Sequence, residues 1–395
     1  MSAQALNFLL EGLQAAQLAL RALLHALGLA PLLHGQPAWP FAWRLAGEML
    51  LMDGGHARRV AATLICLAGA ALLMLLALLW RRARRWLWAS AAAALLLAPW
   101  PQASLLFTPA VPTSFHVSQG GFSAQGIVRG QALYAQHCLR CHGADGRGEG
   151  PDAPGLSMWP PTLNGSLLWK RLEGELFWRV RHGMQGRDGR PSMPSLAAPL
   201  SDAQVWELLD FLQAQAAGQM FKESGAWAAP VRLPDGPVRC LRGQRPTARS
   251  LTGQRLRVVM AQTGAALPAD DPRLVTLQLP AAPNIANTAN AANAANTGPD
   301  PECRMDDPAA SASLSLVLGV APEKLPGYQL LVDRQGWLRA VSQPGQAGWS
   351  ESDLVCRSGP APQARPAAPA ADGLDALIRR MDAEPVRLLR GGFPH

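Results

Sequence analysis

Between Val60 and Trp80 the chain reads VAATLICLAGAALLMLLALLW, 21 residues without a charge. At about 1.5 Å rise per residue, a helix of that length crosses the ~30 Å hydrocarbon core of a bilayer. The spacing therefore predicts a transmembrane helix. Arg81, Arg82, Arg84 and Arg85 follow at once. A second apolar stretch, Trp86 to Phe107, is interrupted by Pro99 and Pro101 and is expected to return across the bilayer. Trp80, Trp86, Trp88 and Trp100 stand where interfacial aromatics belong. Arginine-rich loops stay cytoplasmic under the positive-inside rule, which places everything after Phe107 on the opposite, exported side. Arg44, Arg58 and Arg59 would share that side, which weakens the rule without reversing it.

The stretch Leu6–Leu33 is rich in Leu and Ala but contains Glu11, Arg21 and His25. It reads either as an amphipathic, packed helix or as a first transmembrane helix with polar groups facing its neighbours, the N-terminus then being cytoplasmic. It lacks the charged start and the small-residue cleavage site of a signal peptide. A single histidine such as His25 on an apolar stretch reads as a satisfied polar group rather than a ligand. Charged residues make up 16% of the 395, below the quarter usual in soluble domains, and the length suffices for two or three domains. The formal charge of +8 divides into +5 over residues 1–119, 0 over 120–219 and +3 over 220–395. Most of the excess lies beside the apolar stretches and no basic face stands out, so nucleic acid is not an expected partner. Three lysines against 33 arginines point to a codon bias, and single arginines carry little weight.

Cys138-Leu139-Arg140-Cys141-His142 is C-x-x-C-H, the attachment sequence of a c-type haem. Two thiols one helical turn apart add across the two vinyl groups, and the adjacent histidine brings its imidazole under the iron. Half a zinc site or a dithiol redox pair uses the same spacing. Zinc would require a second ligand pair nearby, and no cysteine lies between residues 142 and 239. One covalent haem c is the expectation. Covalent haem and oxidising chemistry also belong outside the cytoplasm, in keeping with the exported side inferred above.

The flanks resemble a class I cytochrome c domain. Upstream, GIVRGQALYAQHC sets Gly130, Leu133, Tyr134 and His137 on one helical stripe. Gly130 would allow a close helix crossing where Tyr134 packs. Downstream, GADGRGEGP is similar to the family's glycine-rich loop, and no strand precedes it as a phosphate-binding loop would need. The resemblance implies that Pro161, in Pro160-Pro161-Thr162-Leu163, offers its carbonyl to the Nδ1–H of His142. The second axial ligand of such a haem is Met or His, and Met158, Met184, Met193, Met220 and His182 are the candidates. Met193, in a Met-Pro pair before the last helix, occupies the family's position. Ser201 reads as that helix's N-cap, with Asp202 in the first turn and Gln204 at capping-box spacing. Val205, Leu208, Leu209 and Leu212 form its apolar face. Leu172, Leu176, Phe177 and Val180 mark a middle helix. Trp169 and Trp178 read as core, with haem contact the lesser reading.

More narrowly, residues 112–151, then GELFWRVRHGM (174–184) and MPSL (193–196), resemble the cytochrome domain fused behind copper-resistance protein D membrane domains. The resemblance covers residues 108–217. The membrane part is shorter than that family's and supplies two or three helices. No Met-rich or His-rich cluster marks a copper site.

Further on, Leu256–Ala261 and Leu274–Leu279 read as buried strands. Residues 281–299 form a low-complexity Ala/Asn run. A helical stretch near 309–319 leads through Pro326 to YQLLVDRQGWLRAV, a hairpin signal around Asp333–Gly336. Strand, strand, helix, proline, hairpin resembles a thioredoxin-like domain. Gln262-Thr-Gly-Ala-Ala stands where its Cys-x-x-Cys would be, so dithiol exchange is not expected there. Cys240, Cys303 and Cys356 allow one disulfide and one free thiol, and the pairing stays open. After a Pro/Ala-rich stretch (358–371), Leu374, Leu377, Ile378 and Met381 mark a tail helix.

The expected chain is multidomain. A membrane anchor of two or three transmembrane helices (1–107) leads through a linker (108–124) to an all-α class I cytochrome c domain (125–218). An α/β thioredoxin-like domain (230–357) with an insertion (281–301) follows, then a linker and tail helix (358–395). The expected haem residues are Cys138, Cys141, His142, Met193 and Pro161. The expected function is one-electron exchange with redox protein partners at a bacterial inner membrane, the haem facing the periplasm. With His142 and Met193 both bound, no position stays open for oxygen, so a carrier is expected rather than a catalyst. The alternatives are a copper-homeostasis membrane protein fed electrons by its cytochrome, and a haem redox sensor or assembly factor.

Overall fold

The structure, a computed structural model, describes residues 3–45, 54–80, 82–102, 107–165, 168, 171–186, 188–241, 243, 246–262, 267–279, 301–346, 348–356 and 373–386. The Ala/Asn run at 281–299, the Pro/Ala-rich stretch at 358–371, Arg81, Trp169 and residues 263–266 of the Gln262 stretch lie outside the described residues. The chain divides into two compact units. The first runs to His116 and includes Lys170–Glu175, and the second takes Val117–Trp169 and the chain from Leu176.

In the first unit, α1 (Ala3–Ala26) carries the charges that interrupt its apolar character. Arg21 donates to the Phe115 carbonyl at 2.7 Å, and His25 Nδ1 bonds the Ala30 carbonyl at 2.9 Å. His25 is thus engaged with backbone. A small hairpin, β1 (Leu32–Leu33) with β2 (Gln36–Pro37), precedes β3 (Trp43–Leu45). α2 (Gly54–Leu79) contains the predicted apolar stretch. Its segment Arg58–Leu79, of mean hydropathy 2.6, is the one span among the described residues long and apolar enough to cross a membrane.

The returning stretch departs from expectation. α3 (Arg84–Leu96) has 13 residues, roughly 20 Å of helix, which falls short of a bilayer core. Pro99 and Pro101 lack the N–H groups that would continue it, and Thr63 Oγ1 donates to the Pro99 carbonyl at 2.9 Å. Phe107 lies instead in β4 (Phe107–Pro109), paired antiparallel with β3. Residues 112–116, expected within a linker, are packed: Thr113, Ser114, Phe115 and His116 are all buried. Thr113 Oγ1 donates to the Gly174 carbonyl at 2.6 Å. Glu175 Oε1 accepts from Arg44 Nε at 2.6 Å and from Ser114 Oγ at 3.4 Å, and both ion-pair partners are buried.

In the second unit, α4 (Ala124–His137) starts at Ser123, whose side chain accepts from the Gly126 N–H. After α5 (Leu139–His142) and α6 (Glu173–His182) comes a ribbon of β5 (Met184–Gln185) and β6 (Pro191–Met193). α7 (Asp202–Ser224) has the expected capping box of Ser201 with Gln204 and ends on left-handed Gly225. α4 and α7 cross at Gly130, where an added Cβ would overlap the Glu207 carbonyl oxygen and lie 2.8 Å from Phe211 Cβ. Tyr134 packs there on Phe211, ring centroids 5.2 Å apart. Tyr134, Cys138, Phe177, Val180, Leu196, Val205, Leu208 and Leu209 share one apolar core.

The chain then builds a six-stranded sheet from β7 (Arg239–Cys240), β8 (Leu256–Met260), β9 (Val275–Leu279), β10 (Cys303–Arg304), β11 (Gln329–Val332) and β12 (Leu338–Ser342). Their order is β12-β11-β8-β9-β10-β7. β8, β9 and β10 run parallel, and β7, β11 and β12 pair antiparallel to their neighbours. The β11–β12 turn closes on Asp333, whose Oδ1 accepts from the N–H groups of Gln335 and Trp337. No helix stands among the described residues between β8 and β9. α8 (Pro308–Leu318) packs against α4 and α7. Ile127, Ala214 and Ala217 from those two helices lie in the same core as Val258, Leu277, Leu314, Leu318 and Leu330. The tail helix α9 (Gly373–Ala383) sets Leu377, Ile378 and Met381 against Leu331, Ala340 and Trp349. Cys240 and Cys303, directly opposed on β7 and β10, form a disulfide, and Cys356 is a buried free thiol.

Candidate haem site

α4 ends on Cys138, whose N–H donates to the Tyr134 carbonyl at 2.9 Å. The chain turns once more, with Cys141 and His142 donating to the Cys138 carbonyl at 3.1 and 2.8 Å. Both thiols are unpaired, Cys138 buried and Cys141 half-buried. Burial pushes the Cys138 thiol up to about 12, so it stays protonated at neutral pH. The loop that follows folds back beneath the motif. Gly148 donates to the His142 carbonyl at 2.9 Å and Gly150 to that of Cys141 at 3.1 Å. Gly148 has φ 86°, and a Cβ there would overlap the Pro160 carbonyl oxygen. Only glycine lets the Pro160–Leu163 stretch lie this close, where Leu163 donates to the Gly146 carbonyl at 2.7 Å.

Burial lowers the His142 imidazole below its ordinary value, and the Pro161 backbone acts on it in the opposite direction. Its Nδ1 is buried, and the Pro161 carbonyl is the acceptor that acts on it. An imidazole turned by a proline carbonyl at Nδ1, beside two free thiols, is the donor set that covalent haem attachment uses. These residues fit the group. The Pro161 carbonyl is near enough to the His142 ring to act on it.

The candidate axial residues separate. Met184 and Met193 face each other across the ribbon. The Met184 sulfur accepts from Arg179 Nη1 at 3.3 Å, whereas Met193 packs against the core that holds Cys138. His182 is exposed and stacks on Trp178, ring centroids 3.6 Å apart, with Nδ1 bonded to the Trp178 carbonyl at 3.0 Å. Met220 packs with the sheet core, and Met158 is half-buried. Arg140 pairs with Asp152, and Arg147 with Asp145 and Glu223. The arginines in and just after the motif are therefore locally neutralised. Among the described residues no group of three or more His, Cys, Asp and Glu is placed to hold a metal ion.

Asn164 and Gln215 were not singled out by the sequence, yet both side chains bond the loop after His142. Gln215 lies at the edge of the α7 apolar stripe, seven residues after Leu208, and no motif marks either residue.

Residues 125–212 match the model of the family described as cytochrome c oxidase, cbb3-type, subunit III. This segment is a cytochrome c domain, all-α apart from its short ribbon, and such a domain carries covalently bound haem c. No curated protein matches the chain. A solved structure from Kuenenia stuttgartiensis, the reducing HAO-like protein complex Kustc0457/Kustc0458, is 22% identical over 32% of this chain, with a TM-score of 0.22. The similarity spans 59% of that chain's length and defines no fold here.

Proposed function

We propose that the chain is a membrane-anchored c-type cytochrome of the bacterial inner membrane. Its haem faces the periplasm and exchanges single electrons with redox protein partners. The observation that carries this reading is the pair of unbridged thiols, Cys138 one turn before His142 and Cys141 next to it, with the Pro161 carbonyl acting on the buried His142 Nδ1. Cys138 and Cys141 would hold the porphyrin, and His142 and Met193 the iron. When bound, the haem supplies one reversible electron. The protein's part is to seat His142 through its loop and to pack Met193 against an apolar core. α2 supports the anchor by length and composition. The succession β8, β9, α8, β11, β12 supports a thioredoxin-like reading of the sheet, with β10 as an addition and no Cys-x-x-Cys.

The test is a pyridine haemochrome spectrum with an in-gel haem stain on membranes from cells competent for cytochrome c maturation. Covalent haem on the full-length band, lost in Cys138→Ala/Cys141→Ala, is expected. Its absence from the wild-type band would overturn the reading. Retention after alkaline carbonate extraction, with protease reaching residues 117–395 only from the periplasmic side, checks the anchor and its orientation. Stoichiometric copper in chelator-washed protein would favour copper homeostasis instead.

A further inference from the structure

Three consecutive backbone carbonyls after His142 each accept a hydrogen bond from a different side chain. Tyr134 Oη, on α4, donates to Gly143 at 2.7 Å. Gln215 Nε2, on α7, donates to Ala144 at 2.6 Å. Asn164 Nδ2, just beyond Pro161, donates to Asp145. Loops ordinarily satisfy their carbonyls with water and move freely. This one is pinned from three sides.

Two of the three side chains leave part of their own hydrogen-bonding capacity unmet. The Gln215 Oε1 and Asn164 Oδ1 atoms are both buried without a partner. The pinned loop also joins two groups that matter to the iron. At one end Gly148 donates to the His142 carbonyl at 2.9 Å, and in between Gly146 accepts from Leu163 at 2.7 Å, two residues past Pro161. Holding the loop therefore holds the His142 ring and the Pro161 carbonyl in one relation.

We propose that Tyr134, Gln215 and Asn164 are positioning residues that fix this relation and so set the haem potential. The proposal rests on the haem reading above. A carbonyl held against the Nδ1–H makes an imidazole more basic and a stronger donor, which favours the ferric state. Removing a donor frees the loop, weakens that contact and raises the potential.

The experiment uses the full-length, haem-loaded protein and the variants Tyr134→Phe, Gln215→Leu and Asn164→Leu. Spectroelectrochemical titration and thermal unfolding are read side by side. Each variant is expected to shift the Fe(III)/Fe(II) equilibrium two- to tenfold toward Fe(II), and pairs to shift it by less than the product of the singles, because they share one loop. Tyr134→Phe keeps the ring against Phe211 and guards against a folding failure in the leucine variants. Unfolding midpoints that fall while all three potentials stay within twofold of wild type would make the clamp merely structural and overturn the proposal. A wild-type chain without haem would instead overturn the haem reading on which it stands.

Discussion

At Gly130 a side-chain carbon would overlap the carbonyl oxygen of Glu207, so α4 and α7 meet backbone to backbone. Gly130→Ala must push the helices apart and loosen Tyr134 from Phe211. Overpacking of this kind costs about 1–3 kcal/mol, more than the ~1 kcal/mol that alanine adds to an exposed helix. Urea denaturation is expected to show a net loss, and a variant as stable as wild type would mean the crossing is wider than described.

Met193 and Met184 should behave oppositely. On the proposed ligation, Met193→Ala should open a coordination position, and the ferrous protein is then expected to bind carbon monoxide. Met184→Ala removes only the sulfur that Arg179 touches and should leave the spectrum unchanged. Carbon monoxide binding by the second variant and not the first would reverse the assignment.

Arg339, on β12, is wholly buried. Its guanidinium donates to Asp333 at 3.3 Å, to the Cys356 and Met381 carbonyls at 3.3 Å, and to the Glu384 carbonyl at 2.7 Å. The last two lie at the C-terminal end of α9, where a cation is favoured. Arg339→Ala leaves Asp333 buried and unpaired, a loss of about 3–5 kcal/mol. Arg339→Met with Asp333→Leu should recover part of it. Equal losses in the single and double variants would show that the ion pair is not what matters.

Burial pushes the Cys356 thiol up to about 11. At pH 8 roughly one molecule in a thousand carries the thiolate that alkylates. Mass spectrometry after iodoacetamide at pH 8 should find Cys356 unlabelled in the native protein and labelled after denaturation. The unfolded thiol ionises near ~8.5, so the fold holds this proton more tightly. This group's contribution to stability therefore falls as pH rises from about 8.5 towards 11. Ready native labelling would contradict its burial.

The Cys240–Cys303 disulfide closes a loop across a sequence separation of 63 that includes the Ala/Asn run. Chain-entropy reasoning gives about 4 kcal/mol for a loop of that size. Cys240→Ser/Cys303→Ser should lower the urea midpoint accordingly, and wild type should lose the same amount on reduction. A reduced protein as stable as the oxidised one would show the closed loop to be unimportant.

The haem segment was legible because its chemistry is local. C-x-x-C-H spans five residues, and Ser201 with Gln204 spans four. The clamp on the loop after His142 was not, because its bonds join residues 9, 71 and 19 apart and no periodicity records them. The burial of Thr113 and Ser114 was hidden for a similar reason, since their partners stand 61 residues on. Three cysteines permit three pairings, and only the register of β7 against β10 selects one. The returning stretch reads as continuing to Phe107, because alanine and leucine run on past the point, Leu96, where the helix stops three residues before Pro99.

The face of α7 away from Val205 and Leu209 is built of small residues, Ala214, Ala217 and Gly218, a weak signal in a sequence this rich in alanine. A Cβ at Gly218 would overlap the Leu316 carbonyl oxygen on α8. One helix thus serves as wall to two rooms, the haem segment on one side and the sheet on the other. Such a protein is not an assembly of interchangeable parts. A recombination event joining this haem segment to some other tail would uncover Ile127, Ala214 and Ala217 at a stroke.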